Sequence, residues 1–208
     1  LKLVAGMFNA APGATYLAEF TDAFVALNKD FGALAAALGQ TGPFQTLYPS
    51  FLTAEEFANK FLTTLGLQNN EEAQDWVQAH KNAGEDNASI IFQALVAIEA
   101  STADEFKAAR DQLANKAAVA EYYSVTLGKS ADSLEAMQGV VANVTNNPAS
   151  VQAAKDAVTP VEPQPEPEPA PLPLTADQDV RKGTAGNDLF KANVVQNALG
   201  EQTNSLAT

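Results

Sequence analysis

The chain has 208 residues, 46% of them hydrophobic, and its 25 acidic and 12 basic side chains give a formal net charge of −13. That charge repels a phosphate backbone and argues against nucleic-acid binding, and no apolar run approaches the roughly 20 residues of a membrane-spanning helix. With no cysteine and one histidine, the sequence excludes thiol chemistry, disulfides and metal sites built from cysteine or several histidines.

Up to Val158, apolar residues recur at helical spacing between polar capping signals and glycine stops. This pattern predicts a mainly α, multi-helix domain over residues 1–158. The predicted helices lie at residues 2–9, 14–27, 31–39, 54–65, 71–83, 88–99, 103–127, 131–144 and 148–158.

Three capping signals fix the starts of predicted helices. The sequence Thr-Ala-Glu-Glu at 53–56 is a capping box, and Thr-Ala-Asp-Glu at 102–105 predicts a second box that opens one long helix over 103–127. Asn147 and Pro148 place a proline at the first position of the last predicted helix.

Short apolar segments at residues 3–8, 61–66 and 122–128 recur at a spacing of about 60 residues. Each segment is followed by a short polar turn and another predicted helix. We therefore predict diverged helical-hairpin repeats, with a chance alternation of unrelated helices as the alternative.

The chain changes character at residues 159–173, an acidic tract that holds seven of the eleven prolines. Alternating proline disfavours both helix and central strand and favours extended polyproline II, so we predict a semi-rigid linker. A disordered acidic tail is the alternative. Residues 174–208 carry turn and strand signals and are predicted to begin a β-rich domain.

Within that last segment, Gly183, Gly186, Asp188 and Phe190 fit the pattern of one calcium-binding nonapeptide repeat. The glycines free the backbone to turn its carbonyls toward the ion, and Asp188 supplies a hard carboxylate. Gly183, Gly186 and Asp188 are therefore candidate metal-site residues. Because only one copy is present, an ordinary β-turn that starts a strand is the favoured alternative.

Few side chains are candidates for catalysis or ligand binding, and no catalytic set is predicted. His80 follows Trp76 and Val77, which indicates the edge of a packed helix face, and residues 85–87 indicate a turn and helix cap. Sugar-binding sites commonly stack an aromatic ring on the apolar face of a sugar. Trp76 and Tyr48 combine an aromatic face with a polar group and are the candidate glycan-binding residues.

Three blocks, residues 6–17, 56–61 and 115–128, resemble the N-terminal helical domain of S-layer and S-layer-like proteins of Gram-negative bacteria. In that family the helical domain is followed by a linker and by sequence like Leu174-Thr175 and residues 183–190. The resemblance covers nearly the whole chain and includes the order of its parts.

The resemblance implies a structural protein of the outer cell surface and not an enzyme. Its helical domain would anchor an S-layer-like lattice to the outer membrane through lipopolysaccharide glycan, and downstream RTX-like β domains would bind calcium and join neighbouring copies. It also implies export without a cleaved N-terminal signal, and residues 1–4 show no basic, apolar signal peptide.

The net charge of −13 restricts which sugars of lipopolysaccharide the helical domain could contact directly. Contact with anionic core sugars would need calcium bridges, whereas neutral O-antigen chains would not, so we expect recognition of the outer polysaccharide with divalent ions screening the approach. Two alternatives stay open. One is a self-assembly module that forms a sheath or filament without glycan, and the other is the targeting region of a larger surface adhesin or enzyme.

Overall fold

A computed structural model of the protein describes residues 1–159 and two short strands. The strands, β1 (Leu172–Pro173) and β2 (Phe190–Lys191), pair in parallel. Residues 1–159 form one compact unit of the chain. Apart from Thr159 and the two strands, the predicted linker at 159–173 and the β-rich segment at 174–208 lie outside the described residues.

Helices make up most of residues 1–159, which confirms the mainly α fold predicted for this part. A 3₁₀ turn at Asp104–Phe106 leads into α8, and a π-helical turn at Tyr122–Thr126 follows it. The α-helices are α1 (Lys2–Phe8), α2 (Gly13–Ala26), α3 (Phe31–Gly39), α4 (Gly42–Leu47), α5 (Ala54–Thr63), α6 (Glu71–Asn82), α7 (Asn87–Ala100), α8 (Lys107–Glu121), α9 (Leu134–Gly139) and α10 (Pro148–Val158).

Two of the predicted helix starts have the expected caps. The backbone N–H of Glu56 donates to Thr53 Oγ1 at 3.2 Å, and the Thr53 N–H donates to Glu56 Oε2 at 2.9 Å, so the first capping box is confirmed. The Asn147 side chain caps α10 by accepting from the Ala149 N–H, with Pro148 at the first position. These ends are set by local chemistry alone.

The second capping box is wrong. Thr102 makes no cap, and the Ala103 N–H donates to Ser101 Oγ at 3.2 Å instead. The single helix predicted over 103–127 is therefore divided into a 3₁₀ turn, α8 and a π turn. The helix predicted at 131–144 is reduced to α9, and α4 was not predicted.

The core is built around α1, which packs against both α7 and α8, while α3 packs on α7 and α5 on α6. Phe57, Phe61, Ile90 and Ile91 are fully buried at the centre, and each such side chain contributes about 1.5–3 kcal/mol relative to exposure. The contact of α3 with α7 is close at Gly39, where an added Cβ would lie 2.5 Å from Ala88 Cβ. These contacts hold α7 in place. The sides of α7 that they leave free line two depressions in the protein surface.

Candidate functional site

The helix pair α5–α6 places Trp76 at the edge of the core. Asn70 caps α6 by accepting from the Ala73 N–H at 2.8 Å, and the helix then buries Ala73 and Val77. Trp76 precedes Val77 by one residue, so its ring lies beside the buried face and stays half-buried. The indole is thus anchored by the core and open to a ligand.

Trp76 lines a cleft of about 310 Å³ between α5, α6, α7 and the 3₁₀ turn. Glu72, Ser101 and Phe106 line it as well, and its floor is formed by apolar residues that include Ala94 and Ile98. We call this surface the Trp76 cleft. An apolar cleft of a few hundred Å³ with a few polar groups has the composition of a small-molecule site.

A chain of contacts holds the Trp76 ring in place. The His80 ring packs on it with centroids 4.0 Å apart, and His80 Nδ1 lies 2.6 Å from Glu85 Oε1. Gln93 Nε2 donates to Glu85 Oε2 at 2.8 Å, which ties the pair to α7. We call His80, Glu85 and Gln93 the Trp76 support. The prediction that His80 lies at the edge of a packed helix face is confirmed.

The same hydrogen bonds favour the ionised form of Glu85. Donation from Gln93, and then the contact with His80, lower the pKa of the Glu85 carboxyl below its ordinary value. The carboxylate accepts on both oxygens, so it fixes the loop after α6 against α7.

Tyr48, the second candidate glycan residue, lies in the core. Its side chain is only 4% exposed, and its ring centroid is 5.1 Å from that of Phe44 and 5.6 Å from that of Phe57. Burial raises the pKa of its hydroxyl. The structure therefore does not bring Tyr48 together with Trp76, and it leaves too little of the Tyr48 ring open for a sugar to stack on it.

A second and larger depression lies between α7, α8 and the start of α1. It encloses about 890 Å³ and is lined mainly by apolar residues, among them Phe92, Leu113 and the alanines of α8, with Lys2, Glu99 and Glu121 as its charged residues. Phe31 and Val96 line it while remaining 54% and 52% exposed. We call it the α7–α8 groove.

The candidate calcium residues Gly183, Gly186 and Asp188 lie outside the described residues. Within residues 1–159, no group of three or more histidine, aspartate or glutamate side chains is placed to hold a metal ion. Among the helices described here, none combines the length and apolarity needed to cross a membrane.

Several residues of the cleft have no marker in the sequence. Glu72 lies one helical turn before Trp76, a spacing that could have indicated it. Ser101 and Phe106, in contrast, reach the cleft because the end of α7 and the 3₁₀ turn pack beside α6. Nothing in their local sequence indicates that placement.

Comparisons with protein-family models, with curated proteins and with solved structures give no match to this chain. Its function is therefore argued from its residues and from the geometry of the Trp76 cleft.

Proposed function

We propose that residues 1–159 form a glycan-binding module of a structural cell-surface protein, and that the Trp76 cleft is its sugar site. The observation that carries this proposal is the half-buried indole of Trp76, held by His80 and lining a cleft with Glu72 and Ser101. The indole face suits the C–H face of a sugar ring, and the carboxylate and hydroxyl suit its hydroxyl groups.

The cellular role in this proposal comes from the resemblance to S-layer proteins. The module would anchor an S-layer-like lattice to the outer membrane through lipopolysaccharide, with residues 159–173 as the linker. The segment at 174–208 would begin an RTX-like domain that binds calcium, for which Gly183, Gly186 and Asp188 are the candidate residues. Neighbouring copies of the chain are its other expected partners, and the outer cell surface its location.

The charge balance and the lining of the cleft both favour outer polysaccharide over phosphorylated core sugars. The chain carries a net charge of −13, and one of its carboxylates, Glu72, lines the cleft. A phosphate would meet repulsion there unless a divalent ion bridged the two charges.

Binding to purified smooth lipopolysaccharide, with and without a chelator, tests the proposal. We expect binding that persists in the chelator and falls at least tenfold in Trp76→Ala. Phe51→Ala is the matched control, because Phe51 is an aromatic residue that is 83% exposed and lies outside the cleft. Absence of binding in both conditions would reject the anchor function.

The helical-hairpin repeats also belong to this proposal. The pair α5–α6 is a helical hairpin, and its two helices share the most extensive contact between elements in residues 1–159. The proposed counterparts start at α1 and at the π turn.

Self-assembly through the helical module is a second candidate, favoured by the exposed apolar residues of the α7–α8 groove. A contact between copies would bury Phe31 and Val96 and would account for their exposure. Sedimentation velocity at increasing protein concentration, with calcium and then with chelator, tests this candidate, which predicts assembly that dissolves on chelation.

A further inference from the structure

We infer that the Trp76 cleft selects a sugar unit that carries a protonated amine over the N-acetylated form of the same sugar. The inference rests on the proposed function, since it names the class of sugar that this site would take. It follows from the charges and rings that meet in the cleft.

The charge that lines the cleft is negative. Glu72 is the one ionisable side chain among the described residues that line it. No lysine, arginine or histidine of residues 1–159 lines it, although the His80 ring packs on Trp76 with centroids 4.0 Å apart. A cationic ligand group would therefore find a carboxylate without a competing cation in the cleft wall.

The aromatic residues of the cleft favour the same class of group. Trp76 and Phe106 both line the cleft, and a cation is attracted to the face of an aromatic ring within about 6 Å, most strongly for tryptophan. Ser101 adds a hydroxyl that can accept from an ammonium or donate to a ring hydroxyl of the sugar. An ammonium on a sugar ring would thus combine stacking, cation–π attraction and an ion pair in one small cleft.

Neutral and anionic sugars would lose part of this recognition. N-acetylation removes the positive charge and leaves only stacking and hydrogen bonds, and a uronate or a phosphate would be repelled by Glu72. The Trp76 support makes the difference measurable, because the indole is held by His80 and does not need to be ordered by each ligand.

The test uses the emission of Trp76, which is the single tryptophan of the chain. The full chain is titrated with the tetrasaccharide of β-1,4-linked glucosamine, with its N-acetylated counterpart and with neutral maltotetraose. We expect the amine-bearing tetrasaccharide to bind roughly three- to tenfold more tightly than the other two, the range of one exposed ion pair with one cation–π contact.

Two variants assign the preference to Glu72. Glu72→Gln is expected to reduce the preference for the amine about two- to fivefold, the share of the ion pair, while leaving binding of the N-acetylated tetrasaccharide within about twofold. Glu71→Gln is the matched control, since it removes the same charge from the first turn of α6 without touching the cleft. We expect Glu71→Gln to keep the preference.

The outcomes separate this inference from the proposed function. Equal or tighter binding of the N-acetylated tetrasaccharide would overturn the inference, as would an amine preference that Glu72→Gln leaves unchanged. In both cases, smooth lipopolysaccharide that still binds through Trp76 would leave the proposed function intact. If neither the tetrasaccharides nor lipopolysaccharide bound, the proposed function and the inference would fail together.

Discussion

The Trp76 cleft and the α7–α8 groove lie on two sides of the same helix, and they differ in kind. The groove encloses about 890 Å³ against about 310 Å³ for the cleft. Its walls are mainly apolar, and two of its three charged residues are paired, since Lys2 Nζ donates to Glu99 Oε2 at 2.6 Å. The cleft, in contrast, joins a tryptophan to a carboxylate and a hydroxyl.

This difference supports the proposal that the smaller cleft, and not the larger groove, is the recognition site. An apolar surface favours any occupant in proportion to the area it covers, whereas polar groups at fixed positions discriminate between ligands. The cleft also has the Trp76 support behind it. We therefore assign recognition to the smaller region and leave the groove to association.

The largest expected effect concerns Lys116, which anchors α8, a wall of the groove, to the end of α5. Its side chain is buried and donates to the Thr64 carbonyl oxygen, and burial lowers its pKa from 10.5 to about 8. Below pH 8 the folded protein must bury the charge. As the pH rises from 8 to 10.5 the unfolded chain binds more protons, so stability should increase, by about 2–3 kcal/mol.

Lys116→Met should flatten that increase. Gln112 Nε2 still donates to the Thr64 carbonyl oxygen at 3.1 Å, so the end of α5 keeps a partner. Urea denaturation at pH 8 and at pH 10.5 measures the effect. Lys107→Met, at an exposed position of α8, is the control and should keep the wild-type slope. A wild-type slope in Lys116→Met would contradict the assignment.

A substitution that separates α3 from α7 should disturb both the Trp76 cleft and the α7–α8 groove. Gly39→Ala places a Cβ 2.5 Å from Ala88 Cβ, so α3 and α7 must separate, at a cost of about 1–3 kcal/mol. Gly139→Ala is the control, because its Cβ would meet nothing within 4 Å. Thermal unfolding should show a lower Tm for Gly39→Ala only, and an equal Tm in the two variants would show that the contact is not tight.

A change in the Trp76 support should act on the cleft alone. Gln93→Ala removes the first donor to Glu85, so the pKa of that carboxyl should rise toward its usual value of 4.5. In the wild-type protein, the stability from this depressed pKa is present above pH 4.5 and is lost as the pH falls through the folded-state pKa. The variant should lose less stability on acidification.

The same variant should weaken sugar binding about two- to fivefold, because the Trp76 ring is less well held. Trp76 fluorescence anisotropy at neutral pH measures the change in ring mobility. Ser89→Ala is the milder comparison, since Ser89 Oγ accepts from Gln93 without touching Glu85. Unchanged anisotropy in Gln93→Ala would show that the support does not hold the ring.

The smallest effect on stability is expected in the groove. Val96→Glu places a charge at a position that is already half-exposed, so the free energy of unfolding should change by no more than about 0.5 kcal/mol. Sugar binding should be unaffected, while any self-association should be lost in sedimentation velocity. A loss of sugar binding would show that the two regions are not independent.

The fold could be predicted from the sequence where local chemistry decides it. Caps at Thr53 and Asn147 need only residues within one turn, and both were predicted. The sequence does not predict the interruption of the helix over 103–127. Residues 102–105 satisfy the capping pattern, but in the folded chain Ser101 Oγ accepts from the Ala103 N–H. Two neighbouring side chains, Ser101 and Thr102, can compete for the backbone there, and the capping pattern does not say which of them bonds it.

The residues of the candidate site were likewise only partly predictable from the sequence. Trp76 stands out in the sequence as a lone tryptophan in the middle of an amphipathic helix, whereas Tyr48 also combines an aromatic face with a polar group and lies in the core. The two differ only in tertiary environment, which the sequence pattern around each does not show. Phe106 and Ser101 likewise reach the cleft through packing.

The most direct test of the central claim is the emission of Trp76 during titration with the O-polysaccharide released from smooth lipopolysaccharide. We predict a saturable change in intensity or wavelength in the wild-type protein and in Val96→Glu, with a matching loss of binding in Trp76→Ala measured by calorimetry. Binding by calorimetry that leaves Trp76 emission unchanged, and that survives Trp76→Ala, would contradict the claim that this cleft is the sugar site.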